Sequence, residues 1–360
     1  MSYYQADILR HFIIADDPAT YYAWPSIARL SEQELLVAAY SGDAHTHSHG
    51  KVVLYRSPDN GRTWSNGTVI ADTILDDRDP GILVTRDGTI FVTSRVAWWK
   101  GHEGWSSSKH VASTAEADGL MQRFQHGYFI RSTDQGRTWS QPITYPFQPK
   151  GPIELHDGRL FAITERQGVA CYLSDDAGDH WEQTGVITGL PKTLDVDGEP
   201  VEMLYGEPHC VQLPDGRIMA LIRAHMRYGF KDRRPYIAPW NQTAFMWQAF
   251  SHDLGRNWTQ PEQTDLWGFP PHLTLLDDDR LLVSYGRRWP PYGQRAAVWE
   301  PTISPTHFSE VVLRDDAPDY DLGYPSSAQC SDGTIVTVYY QKEEKGKKPC
   351  LMGTQWRLRR

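Results

Sequence analysis

Long apolar runs are missing from this sequence. No stretch approaches the roughly 18 consecutive apolar residues that a membrane-spanning helix requires, so no membrane partner is expected. Amphipathic runs at helical spacing are few, and no low-complexity linker divides the chain. Cysteine is scarce: Cys171, Cys210, Cys330 and Cys350 stand far apart without metal-type spacing, and read as reduced, mostly buried thiols. Residues 1–7 carry no basic stretch followed by an apolar one, so no secretory signal is visible and a soluble cytoplasmic protein is expected. Positive charge is in deficit as well: 36 Lys and Arg against 45 Asp and Glu leave a net charge of -9. That argues against a nucleic-acid partner, which would ask for a concentrated basic face. The basic end, Arg357, Arg359 and Arg360, is too short to alter this and reads as a solvated tail. None of these features calls for a cofactor, and they leave the oligomeric state open.

What is abundant is turn residues and aromatics. With 29 Gly, 24 Pro and 12% aromatics in 360 residues, the chain has the composition of a turn-dense β protein. Short alternating runs such as 52–55, 90–92 and 335–338 recur, bounded by Asp-Gly, Ser-Asp or Pro. Two periodic patterns overlie them. The first is Ser-x-Asp-x-Gly-x-x-Trp, at 57–64, 132–139, 174–181 and 251–258. It is a self-contained turn: the Asp accepts backbone N–H groups, the Gly supplies a positive φ, and the Trp packs the turn on its own sheet.

The second pattern is a hairpin that opens on a proline and turns at Asp-Gly. Proline and glycine are eight residues apart at Pro80 and Gly88, Pro208 and Gly216, and Pro325 and Gly333 (88 − 80, 216 − 208, 333 − 325). Degenerate copies start at Pro25 and Pro271, and a shorter one runs from Pro152 to Gly158. Six sheets beginning near 25, 80, 152, 208, 271 and 325 cannot each bury both faces alone, so they must stack radially. The expected fold is all-β: one six-bladed β-propeller domain over residues 1–360. The segment from Ile8 to Ile14 is expected to add the outer strand of the last blade and close the ring.

Strand direction then sorts residues by face. The eight-residue turns fall with the Asp-Gly turns, as staples away from any chemistry. The opposite rim collects Trp24, Asp79, Gly151, Glu207, Pro270 and Tyr324 ahead of the prolines. It also collects the residues ending each second strand: 41–49, Arg95, Glu165 with Arg166, Arg223 with His225, Arg287 with Arg288, and Tyr340 with Lys342. Guanidinium forks hold carboxylates bidentately and carboxyl groups serve as acid and base, so this rim has the composition of an anionic-sugar site. His209, two residues past Glu207, joins the substrate-binding set. Residues 95–123, with Trp98, Trp99, His102 and Trp105, form an insertion on the same rim, either a sugar-stacking wall or an oligomer contact or flap.

At these residues the chain resembles the sialidase superfamily, over essentially its whole length, and the repeated eight-residue turns are similar to that superfamily's Asp boxes. Gly206-Glu207-Pro208 followed by Arg223 looks like the segment carrying the glutamate partner of the nucleophile and one arginine of a carboxylate-binding triad. Gly323-Tyr324-Pro325 looks like the segment carrying the nucleophilic tyrosine, and Arg287 with Arg288 stands where a second triad arginine is expected. Asp79 joins the catalytic set. Two departures stand out. Trp24 occupies the place of the first triad arginine. The loop 41–51 holds Asp43 and three alternating histidines, His45, His47 and His49, where an acid/base aspartate is expected. That loop is similar to one in Asp-box propellers that act on rhamnosyl-glucuronate linkages by hydrolysis or β-elimination, which implies His45 as the working residue. By their own chemistry the three histidines suit a Zn²⁺ site, a base near neutral pH or a solvated loop. The function expected is a sialidase-like exo-glycosidase on a terminal α-linked acidic sugar. The alternatives are a histidine-dependent hydrolase or lyase of uronate glycosides, and a non-catalytic glycan-binding propeller. In each, the partner is an oligosaccharide or glycoside.

Overall fold

The computed structural model describes residues 4–45, 50–97, 114–124, 127–144, 151–165, 168–196, 198–226 and 244–360. Their strands form six antiparallel sheets in sequence order. The innermost strands are Tyr21–Arg29, Asp76–Val84, Ile153–Glu154, Glu199–Gln212, His272–Leu275 and Gly323–Gln329, which carry the six hairpin starts expected from the prolines or lie directly beside them. The fold is the six-bladed β-propeller that the repeats predict. Gln5–Ala15 pairs with Cys350–Arg359, with Ile8 opposite Trp356 and Phe12 opposite Gly353, so the chain's first strand completes its last blade. This is the closure expected for 8–14.

Burial explains why the blades stack. Six apolar clusters occupy the six interfaces between successive blades, because each sheet can hide its faces only against its neighbours. The sixth-to-first interface is as apolar as the others, with Leu35, Val37 and Val53 against Val336, Val338 and Leu351. All four cysteines are free and buried; burial pushes the Cys171 thiol up to about 12.

The eight-residue turns repeat one hydrogen-bond set. The Gly61, Gly136, Gly178 and Gly255 amides donate to the Ser57, Ser132, Ser174 and Ser251 hydroxyls at 2.8–2.9 Å. The Trp64 indole N–H donates to the Gly61 carbonyl at 3.1 Å. The first turn sits at the Asp-Gly end of the blades, with the Asn60 amide on the Gln33 carbonyl of its own hairpin turn and the Cys330 thiol reaching Asn60 from the sixth blade. Arginines lace the turns together: Arg10 donates to Gly61, Arg56 to Gln135, and Arg131 to Ala177, each reaching the next blade.

Two elements were not anticipated. Thr193–Val196 adds a fifth strand to the fourth blade. A helix, Thr114–Phe124, interrupts the second blade with Glu116 in its first turn and Arg123 in its last, as the helix dipole favours. Its Ala117, Leu120, Met121 and Phe124, at i, i+3, i+4 and i+7, pack on the core between the first two blades. Among the described residues no helix is long and apolar enough to cross a membrane.

Candidate active site

Four side chains converge because four inner strands share one distortion. Trp24, Asp79, Glu207 and Tyr324 each precede a hairpin proline and take a positive φ of 48°, 47°, 43° and 50°. At each, the strand register slips, between Ala23 and Ser26, Arg78 and Gly81, Gly206 and His209, and Gly323 and Ser326. A non-glycine residue held there costs on the order of 1–3 kcal/mol, and such bulges re-aim a side chain out of the alternating pattern. Trp24, Asp79 and Tyr324 line the same central pit, together with His209, His272 and the prolines.

Glu207 joins the chemistry of two blades. Its Oε1 accepts the Tyr324 hydroxyl and its Oε2 pairs with Arg223 on the neighbouring strand. Glu165 Oε2 accepts the Glu207 amide at 2.7 Å, which fixes the bulge. Burial drives the Tyr324 phenol far above its ordinary range, the charges of Glu207 and Asp79 push it further, and Arg223 and Arg288 oppose them. Tyr324 is therefore a phenol at neutral pH, with the Glu207 carboxylate in place to accept its proton.

Asp79 is held by two guanidinium groups, Arg95 at 3.4 Å and Arg78 at 3.6 Å. Arg78 also pairs with buried Asp76 at 3.1 Å and lies over the Trp24 ring, 4.2 Å from its centroid. Tyr40 packs on Trp24 at 4.7 Å. With 2% of its surface exposed, Trp24 shapes the wall and fixes Arg78 by a cation–π contact. Neither Arg78 nor Asp76 stood out in the sequence, although the run Asp76-Asp77-Arg78-Asp79 is the densest charge cluster before a hairpin proline. Asp77 faces elsewhere: it accepts Thr73 and Tyr128, and burial pushes its carboxyl up to about 7.

Of the three loop histidines, His45 is described and reaches the pit wall, 5.1 Å from the Trp24 ring; His47 and His49 lie outside the described residues, as do Arg166 and residues 98–113. His45 Nδ1 is 2.8 Å from the Tyr21 hydroxyl, which donates to Asp321 at 2.7 Å. Burial and then Arg78 lower the His45 pKa; Asp321 raises it, Arg288 lowers it and Asp79 raises it. Tyr21 and Asp321 were not anticipated: nothing in the local sequence links positions 300 residues apart.

The remaining arginines divide. Arg288 donates from Nε to the Leu322 carbonyl and from Nη2 to the Tyr340 hydroxyl, at 2.9 and 3.0 Å, and stands 5.6 Å over the Tyr324 ring. Arg287 turns away, over Trp267 and onto the Pro290 carbonyl. The His209 ring lies tilted against His272, centroids 4.6 Å apart, and its Nδ1 accepts the Leu273 amide. Among the described residues no group of three His, Cys, Asp or Glu could hold a metal ion.

The BNR repeat-like domain family matches residues 33–337, from the first blade's hairpin turn into the sixth blade's second strand. The chain belongs to that family. A sialidase of Bacteroides fragilis (strain YCH46) is 25% identical to this BNR-repeat chain over 206 residues, 46% of this chain and 35% of the sialidase. The chain thus spans about a third of the length of the curated relatives it matches. A protein of unknown function from Dyadobacter fermentans DSM 18053 superposes on the BNR-repeat chain with a TM-score of 0.76 at 23% identity, over 98% of this chain and 99% of that one. The GH93 α-L-arabinofuranosidase of Fusarium graminearum, in complex with arabinobiose, gives 0.62 at 13% identity, over 97% and 98%. At these identities the two structures speak for the shared fold.

Proposed function

We propose that this protein is a retaining exo-glycosidase in which Tyr324 is the nucleophile, Glu207 its base and His45 the proton-transfer group. The observation that carries the reading is the contact of Tyr324, which lines the pit, with Glu207, itself paired with Arg223. Glu207 accepts the phenol proton as Tyr324 Oη bonds to the anomeric carbon and the glycosidic C–O bond breaks. His45 protonates the leaving oxygen. Water then attacks the glycosyl-tyrosine, giving its proton to His45, and the phenol is restored by the proton held on Glu207. Arg288 and Arg223 offer cationic groups to an acidic sugar, and the sialidases among the relatives fit that choice; the arabinofuranosidase on the same fold keeps a neutral sugar within the class tested.

A second reading is favoured by the lowered His45 pKa, which leaves the imidazole neutral at pH 7. A neutral base suits proton abstraction beside the carboxylate of a uronate, with elimination of the leaving sugar and an arginine facing the uronate carboxylate. Rhamnosyl-glucuronate oligosaccharides, fluorogenic α-sialosides and α-L-arabinofuranosides, run with wild type, Tyr324→Phe and His45→Gln, separate the two. Loss of glycoside release in Tyr324→Phe supports the first. Unsaturated uronate appearing in wild type and in Tyr324→Phe, and vanishing in His45→Gln, replaces it with the second. Silence on all three substrates, with glycans still bound, would leave a binding propeller.

A further inference from the structure

We propose that Tyr21 and Asp321 act as a positioning relay that fixes His45 as the Nδ1–H tautomer and leaves Nε2 as its working lone pair. The inference rests on the reading of His45 as the proton-transfer group, but it makes a claim about the ring that can be read without any substrate.

Proton counting carries the argument. The Asp321 carboxylate only accepts, and Lys342 Nζ lies 3.2 Å from it and 3.0 Å from Asp319. Tyr21 has one hydroxyl proton, which the 2.7 Å contact commits to Asp321. At 2.8 Å from His45 Nδ1, the Tyr21 oxygen can then only accept, so Nδ1 carries the hydrogen. The 4.0 Å separation between Nδ1 and Asp321 Oδ1 places the negative charge behind the donated proton, as this tautomer requires. Nε2 has no hydrogen-bond partner among the described residues, and the His45 side chain is 52% exposed, so substrate can meet that nitrogen.

The relay is built where the ring closes. Tyr21 opens the inner strand of the first blade; Asp321 and Lys342 flank the inner hairpin of the sixth. Tyr21 is 5% exposed, and burial, then Tyr340 and Asp321, raise its pKa strongly, so it remains a phenol throughout. Trp24 meets the His45 ring edge-on at 5.1 Å and is itself backed by Tyr40. Arg78 and Arg288 oppose protonation of His45, while Asp321 and Asp79 favour it. Asp321 thus acts twice on the imidazole, through its charge and through the tautomer it imposes across Tyr21. The same relay serves either direction of proton transfer: protonated Nε2 is the acid of a glycosidase, and bare Nε2 the base of a lyase.

The test is ¹⁵N NMR of the histidine rings in the full chain, with the His45 signals among the 14 histidines identified by their loss in His45→Gln. At pH 7.5 the wild type is expected to show a pyrrole-type Nδ1 and a pyridine-type Nε2. Tyr21→Phe, which keeps the buried ring, is expected to shift that ring to the Nε2–H form or to an average of the two. Asp321→Asn should retain the tautomer, because the amide oxygen still accepts from Tyr21, yet lower the His45 pKa. On a turned-over substrate, Tyr21→Phe should lower kcat roughly 10- to 100-fold, part of what a positioned acid or base contributes, with KM within about twofold. A wild-type Nε2–H signature, or a ring unmoved by Tyr21→Phe, overturns the relay. A tautomer change without any change in kcat or its pH profile overturns its role in positioning. If no glycoside is turned over, the glycosidase reading falls, and the spectra alone decide the relay.

Discussion

The Tyr324 hydroxyl meets the Glu207 carboxylate across 117 residues of sequence, and each of the two precedes a hairpin proline at a positive-φ bulge. Two blades thus use the same backbone distortion to bring a phenol and a carboxylate into contact, the proposed nucleophile and base. Glu207→Gln is expected to lower kcat by about 10²–10⁴, the range that a positioned base contributes, and Tyr324→Phe to abolish covalent turnover. Removing the hydroxyl leaves Glu207 paired with Arg223, so Tyr324→Phe should cost about 1 kcal/mol of stability or less. Chemical denaturation beside steady-state kinetics and mass spectrometry of a 2-fluoroglycoside adduct checks both halves. An adduct persisting in Tyr324→Phe would move the nucleophile elsewhere.

The direction of the His45 shift sets the pH dependence. Its pKa lies below the ordinary 6.5, by burial first and then by Arg78. A glycosidase needs the imidazolium to protonate an alkyl leaving group, so kcat/KM on such substrates should fall about tenfold per pH unit above that pKa. Aryl glycosides, whose leaving groups need little protonation, should show a flatter limb. A lyase would give the reverse, a rate that rises through the pKa and then levels. The slope of the two profiles from pH 5 to 8 distinguishes these outcomes.

Ser57 belongs to the scaffold at the far end of the blade. It is fully buried, accepts the Gly61 amide and donates to Asp59 at 2.9 Å. Ser57→Ala leaves that amide without its acceptor and should cost about 1–3 kcal/mol. Because the pit lies at the other end, kcat and KM should stay within about twofold. A kinetic defect larger than the stability loss explains would tie this turn to the site.

The propeller was legible because its repeats are local. Each proline hairpin and each Ser-x-Asp-x-Gly-x-x-Trp turn spells its own geometry, and counting them gave the blades. The rim residues Trp24, Asp79, Glu207 and Tyr324 followed from strand direction alone. The helix at 114–124 was missed although its apolar spacing was present, because the residues before it read as a loop insertion. Arg78 and Asp76 were missed because the alternation that sorts strand residues fails at a bulge. Tyr21 and Asp321 were out of reach for a different reason: their contact exists only once the first and sixth blades meet, and no period in the sequence encodes that seam.

His272 offers a test of burial in the lining of the pit. Its ring packs at a tilt against His209 and its Nε2 meets the Ser326 hydroxyl at 2.9 Å. Burial lowers its pKa to about 4, whereas the unfolded value is 6.5. The folded state therefore refuses a proton that the unfolded chain accepts between these values. The resulting contribution to stability is whole above pH 6.5 and is lost as pH falls toward 4, by up to about 3 kcal/mol. Carboxylates held by hydrogen bonds, Asp59 among them, also lose stability on acidification, so the wild type alone cannot isolate the histidine. The difference between wild type and His272→Gln can. The variant should be the less stable protein at pH 7, by urea denaturation, and close the gap by pH 4.5 because it has no proton to refuse. A gap that stays constant across this range would mean that the ring takes up its proton inside the fold, through solvent entering the pit.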